Sequence, residues 1–197
     1  MKKNKIKDTG LEITELSFGT SSLGSMPDTY GYEVPEDRAQ KTLNRFFQGP
    51  VNMLDTSRNY AMGESEKRIG RAIKENGGWP KDFLLSTKLD RNMDTLVLDK
   101  NRARESFEES LKTLNVDAVD VLFLHEPEDA KDITDITKKD GAMDELFKIK
   151  NEGLAKAVGV AMGKVDIMFP WLKDWDFDVV INHNRYTLIN REANKMY

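Results

Sequence analysis

Three apolar runs in this chain each end in one ionisable residue. Val51-Asn52-Met53-Leu54 ends in Asp55, Phe83-Leu84-Leu85-Ser86-Thr87 ends in Lys88, and Val121-Leu122-Phe123-Leu124 ends in His125. A tyrosine follows the first run, in Asp55-Thr56-Ser57-Arg58-Asn59-Tyr60. A carboxylate, an ammonium, an imidazole and a phenol are groups that hold and move protons. Short apolar runs read as buried strands, and a charge at the exit of a buried strand is costly unless it meets a partner or a ligand. In a barrel of parallel strands the C-terminal ends open onto one face, where such enzymes work. Residues far apart in sequence can meet there. Each residue also has a plainer reading: Asp55 as a turn cap, Tyr60 as a rim aromatic, Lys88 as a solvated strand end, His125 as a hydrogen-bonded core or rim histidine.

The elements that must position these groups alternate strand and helix. Leu11 to Ile13, after the turn Asp8-Thr9-Gly10, reads as half of a small hairpin. Leu16-Ser17-Phe18 is a first core strand ending in Gly19-Thr20. Pro35-Glu36-Asp37 opens a helix with Ala39, Leu43, Phe46 and Phe47 on one side, and Pro50 stops it. The second strand runs to Asp55. A helix from about Ser65 carries Ile69, Ala72 and Ile73 and ends at Asn76-Gly77-Gly78. The third strand runs to Lys88, and a long helix from about Lys100 carries Ala103, Phe107, Leu111 and Leu114. The fourth strand runs to His125. A charged, solvated loop covers Glu126 to Asp140, and a helix follows with Met143, Leu146, Phe147 and Ile149. Leu154 to Val160 is a fifth strand, Val165 to Leu172 a short helix in which Trp171 and Trp175 pack, Val179-Val180-Ile181 a sixth strand, and Asn190 starts a further helix. Six such units predict an α/β fold with a parallel sheet, either an open doubly wound sheet or a (β/α)8 barrel. Chemical residues at several strand ends favour the barrel. No Gly-x-Gly-x-x-Gly or Walker motif follows a strand.

Composition narrows the function. The chain has 197 residues, one domain's worth spanning 1–197, with 39% apolar and 32% charged residues. Net charge is −4, from 30 basic and 34 acidic residues without a basic stripe, so no nucleic-acid partner is expected. There is no cysteine, which excludes disulfides, thiolate metal sites and a cysteine nucleophile. The two histidines, His125 and His183, have no close ligand spacing, so no metal is expected. The basic start Met1-Lys2-Lys3-Asn4-Lys5 is not followed by an apolar stretch. No signal peptide or membrane span is read, and the cytoplasm is the expected compartment.

Four segments together resemble the aldo-keto reductases. Leu16-Ser17-Phe18-Gly19-Thr20 with Leu23-Gly24 resembles that family's first strand and Gly-Thr turn. Asp55 to Tyr60, then Gly63-Glu64-Ser65-Glu66 and Ile69-Gly70, resembles its aspartate–tyrosine signature. Ser86-Thr87-Lys88 resembles the lysine strand, and Asp117 to His125 the histidine strand. Leu124-His125-Glu126-Pro127-Glu128-Asp129 and the stretch from Asp178 to Leu188 are most similar to the D-threo-aldose (L-fucose or D-galactose) dehydrogenase-like branch. The resemblance implies a (β/α)8 barrel enzyme that interconverts a carbonyl and an alcohol with NAD or NADP, on an aldose sugar or another small aldehyde or ketone. It implies Tyr60 as general acid/base, Lys88 as the cation that stabilises its phenolate and lowers a pKa of roughly 10, Asp55 as the partner keeping Lys88 charged, and His125 as the group that orients and donates to the substrate oxygen. Gly19, Thr20, Asp55 and Asn182 are the implied cofactor contacts. One departure stands out. Where relatives carry a polar Ser-Asn pair for the nicotinamide amide, this chain has Ala161-Met162, whose side chains cannot make those bonds.

A barrel of this type uses eight units and about 250 residues, against six units here. The seventh and eighth strands, with the phosphate-gripping loops, are expected to be missing, leaving exposed sheet edges through which a homo-oligomer could complete the fold. Weak cofactor binding by this chain alone is expected for the same reason. The competing functional reading is a catalytically impaired fragment or an interaction subunit on the same scaffold.

Overall fold

Leucine, valine and phenylalanine crowd both faces of the central strands, which therefore have helices on one side and a closed interior on the other. The computed structural model describes residues 1–196. A hairpin comes first, β1 (Lys3–Ile6) against β2 (Leu11–Thr14), antiparallel and turned through Gly10 at φ +77°. Then follow β3 (Phe18–Gly19), α1 (Pro27–Tyr30), α2 (Glu36–Phe46), β4 (Met53–Asp55), α3 (Glu64–Glu75), β5 (Leu84–Leu89), α4 (Lys100–Leu114), β6 (Val119–His125), α5 (Thr134–Thr137), α6 (Ala142–Asn151), β7 (Ala155–Met162), α7 (Val165–Asp174) and β8 (Val179–Asn182). A short 3₁₀ turn, Glu192–Met196, comes last. The strands β3 to β8 pair in chain order, all parallel, as the curled, open half of a (β/α)8 barrel.

Strand parity sorts the side chains. Met53, Leu84, Val121, Phe123, Ala157 and Ala161 face inward and meet Ile6 and Leu11 of the hairpin, which plugs the interior. Leu54, Leu85, Leu89, Leu122, Leu124, Val158 and Val160 face outward onto the helices. Those helices present matching stripes: Ala39, Leu43 and Phe46 on α2, Ile69, Ala72 and Ile73 on α3, and Ala103, Phe107 and Leu114 on α4. Burying each Leu or Phe contributes roughly 1.5–3 kcal/mol. The helix starts are chemically marked. Acids Glu36 and Asp37 open α2, and Asp99 caps α4 by accepting from the Arg102 amide at 2.8 Å.

Three local expectations change. Leu16 is 62% exposed and outside the sheet, because its carbonyl accepts from Thr14 Oγ1 and holds the segment to the hairpin. Strand β7 runs on through Ala161 and Met162, which pair with Ile181 and Asn182 of β8. The charged segment after β6 is not purely solvated: it contains α5, and Ile136 there is fully buried. Trp171 and Trp175 do pack α7 against its surroundings, with Trp175 stacked on Phe147 of α6 at 5.8 Å.

Candidate active site

Inward parity carries one polar group from each of three adjacent strands to the same end of the sheet. Asp55 closes β4, Lys88 lies near the end of β5, and His125 closes β6. Tyr60 enters from the turn that follows β4. That turn is tightly wound: Ala61, Met62 and Gly63 all take positive φ, at 50°, 55° and 91°. Two non-glycine residues there are uncommon and store backbone strain next to the tyrosine.

Lys88 is 2% exposed and donates to Asp55 Oδ2 at 2.8 Å and to the Thr56 carbonyl at 2.6 Å. Its ammonium also lies 4.6 Å from the centre of the Tyr60 ring. The second oxygen of Asp55 accepts from Ser86 Oγ at 2.6 Å. Burial works to lower the Lys88 pKa, but Asp55 and Tyr60 outweigh it and the net direction is upward. Lys88 therefore keeps its charge. Burial pushes the Tyr60 hydroxyl up from its ordinary value. Lys88 pulls it down without cancelling the rise, and Asp55 and Asp90 add to it. The expectation of a lowered tyrosine pKa is thus corrected: desolvation prevails over the lysine.

His125 stands edge-on to Tyr60, with ring centres 5.8 Å apart. Its Nδ1 meets Asp90 Oδ1 at 2.5 Å. Asp90 is fully buried, and its other oxygen accepts from Ser57 Oγ at 2.7 Å and from the Asn59 amide at 3.1 Å. Burial would raise the Asp90 pKa, but His125, Ser57 and Lys88 hold it below the ordinary aspartate value. The sequence reading overlooked Asp90. It reads as a loop charge two residues past Lys88, yet Ser86, Lys88 and Asp90 share one parity, and that repeat was the available signal.

Asp55, Tyr60, Lys88 and His125 line a cavity of about 560 Å³, together with Ser21, Tyr30, Arg91, Ala161, Ile181 and His183, while Asp90 lies behind His125 outside the lining. Of the two departing residues, only Ala161 reaches the cavity; Met162 is buried in the outer core. At its mouth Glu126 lies 3.4 Å from Arg91 and 3.8 Å from His183. The implied cofactor contacts fall in different places. Gly19 is exposed, with nothing within 4 Å of where a Cβ would stand. Thr20 is buried, its hydroxyl donating to the Asp55 carbonyl at 2.9 Å. Asn182 donates through Nδ2 to the Met162 and Gly163 carbonyls at 3.1 and 3.3 Å, and its Oδ1 is buried without a partner. Asn182 pairs with Met162, shares its outward parity and does not line the cavity. The inner wall of Ala161 and Ile181 is apolar, which suits the face of a flat ring but offers no side-chain partner for a ring amide. Among the described residues no cluster of three His, Asp or Glu side chains could hold a metal ion, and no helix is long and apolar enough to cross a membrane.

Residues 15–197 match the Aldo/keto reductase family. L-galactose dehydrogenase of Arabidopsis thaliana is 31% identical over 183 residues, covering 91% of this chain and 55% of that protein. D-threo-aldose 1-dehydrogenase of a Pseudomonas species is 28% identical, covering 93% and 60%. The holo form of an aldo-keto reductase from Bacillus halodurans superposes with a TM-score of 0.78 at 24% identity, over 99% of this chain and 61% of that one, a likeness of fold. The chain spans little more than half the length of these proteins.

Proposed function

Because the chain belongs to the aldo/keto reductase family, we propose that it serves an oxidoreductase reaction between a carbonyl and an alcohol. The substrate would be an aldose sugar or a similar small aldehyde or ketone, and the cofactor NAD or NADP. The observation that carries this reading is the buried ion pair Lys88–Asp55 beside Tyr60, facing His125 across one cavity. When bound, the dinucleotide supplies or takes up the hydride. The side chains of this chain handle the proton and the charge. Tyr60 gives its proton to the substrate oxygen in reduction and takes it back in oxidation. Its raised pKa keeps it protonated at neutral pH, ready as the acid. Lys88 stabilises the phenolate left behind, Asp55 holds the lysine charged, and His125 orients the substrate oxygen.

Ala161 and Ile181 would receive the face of the nicotinamide ring, with Gly19 leaving room at the far edge of the sheet. Asn182, turned to the outer face, would act by holding the ends of β7 and β8 together through the Met162 and Gly163 carbonyls. Thr20 would act by fixing the backbone of Asp55. The two dehydrogenase relatives named for aldose sugars support that substrate class. Supplying a panel of aldoses with NAD⁺ and NADP⁺ and following the absorbance of the reduced cofactor tests the reading. Turnover of an aldose supports it. Silence across the panel with both cofactors would instead favour an impaired or interaction-only member, a reading that the apolar Ala161 at the cavity wall already suggests.

A further inference from the structure

Asp90 faces three donors, and it has only two oxygens. One oxygen, Oδ2, takes the Ser57 hydroxyl at 2.7 Å and the Asn59 amide at 3.1 Å. That leaves Oδ1 for His125 Nδ1, at 2.5 Å. A carboxylate accepts and cannot donate, and the two donors on Oδ2 together with the nearby Lys88 cation favour that form independently of the His125 charge. So Nδ1 must carry the proton. The backbone of the pair is fixed as well: the Asp90 amide donates to Ser106 Oγ at 2.9 Å, and its carbonyl accepts from Arg102 Nε at 3.2 Å. His125 lines the cavity; with Nδ1 taken, Nε2 is the ring nitrogen left to a ligand.

We propose that Asp90 is a positioning residue that locks neutral His125 as the Nδ1–H tautomer, so that a bare Nε2 accepts a hydrogen bond from a substrate hydroxyl other than the one that gives its proton to Tyr60. A neutral imidazole held this way cannot donate to a carbonyl oxygen; only the imidazolium can. The pair thus receives a hydroxyl beside the reacting carbon when His125 is neutral, and donates to the reacting oxygen when it is charged. This rests on the carbonyl–alcohol reading above, and it reverses the donor role that the sequence assigns to His125.

The chain has only two histidines, so ¹⁵N-labelled imidazoles are readily assigned by comparison with His183→Gln. Two-bond proton–nitrogen correlation spectra of the wild-type chain, recorded where His125 is neutral, show which nitrogen is bare. The expected result is protonated Nδ1 and bare Nε2. Protonated Nε2 in the wild type would overturn the proposal without any variant of the pair. In Asp90→Asn the amide oxygen should stay on Ser57 and Asn59, turning its NH₂ toward Nδ1 and switching His125 to the Nε2–H tautomer. A wild-type tautomer in a folded Asp90→Asn chain would contradict the lock. Ser57→Ala keeps the carboxylate and should keep the Nδ1–H form. The spectra need neither cofactor nor substrate. A chain with the expected tautomer but no turnover would sink the carbonyl–alcohol reading and leave the lock standing. Where turnover is measurable, Asp90→Asn should raise the KM of a substrate with a hydroxyl beside the reacting carbon more than that of one without it.

Discussion

Lys88 keeps its charge in surroundings that would strip it from an isolated lysine, and Asp55 is the reason. Removing one partner of a buried pair leaves the other uncompensated, at a cost of roughly 3–5 kcal/mol. Asp55→Asn should lose about that much in urea denaturation, and adding Lys88→Met should recover a large part. Equal stability of Asp55→Asn and the wild type would count against the pair. A second buried group is Glu66, on the outer face of the sheet. It accepts from Thr87 Oγ1 at 2.6 Å, and burial raises its pKa from 4.5 to about 7. The folded state therefore holds this proton more tightly than the unfolded one, so stability falls as pH rises from about 4.5 to about 7 and stays lowered above. The rise corresponds to about 3 kcal/mol. Glu66→Gln should raise the melting temperature at pH 8 and leave it unchanged near pH 4; a loss at pH 8 would show that the charge is needed. At this scale the sequence was informative where a charge ended an apolar run, as at Asp55, Lys88 and His125. It was silent where burial comes from partners distant in the chain. Glu66 and Asp90 look like surface acids until α3, α4 and β5 close around them.

Among elements, short continuous apolar runs placed the strands, because strands buried on both faces show no polar alternation. Boundaries moved where a hydrogen bond outside the pattern took over: Thr14 on Leu16, or the pairing of Met162 with Asn182. The segment after β6 hid α5 because its charges mask one buried isoleucine. Helices α3 and α4 meet through Gly70, where a Cβ would stand 2.1 Å from the Thr113 carbonyl oxygen. Backbone cannot yield as a side-chain tip can, so Gly70→Ala should force the helices apart. The expected cost is about 1–3 kcal/mol in chemical denaturation, with weakened support for Tyr60 through the turn that opens α3. A fully stable Gly70→Ala chain would show that the contact is looser than the geometry states.

The whole molecule presents a parallel sheet with two edges, β3 and β8. Edge strands offer unpaired backbone groups and invite further pairing. The chain in isolation is expected to associate with itself, seen as sedimentation that grows with concentration; a concentration-independent monomer would contradict this. The proton-handling residues Asp55, Lys88 and His125 come from β4, β5 and β6 rather than from the edge strands, so their chemistry is expected to be intact at the level of the whole chain, while the cavity wall does include Ile181 of edge strand β8. The most direct test compares the wild-type chain with Tyr60→Phe in steady-state oxidation across the aldose panel, followed by reduced-cofactor absorbance with saturating NAD⁺ and NADP⁺. On a sugar that the wild type oxidises, Tyr60→Phe should lose about 10²–10⁴-fold in rate with an unchanged circular dichroism spectrum. Equal rates in the two proteins would contradict the assignment of Tyr60 as the proton donor and acceptor.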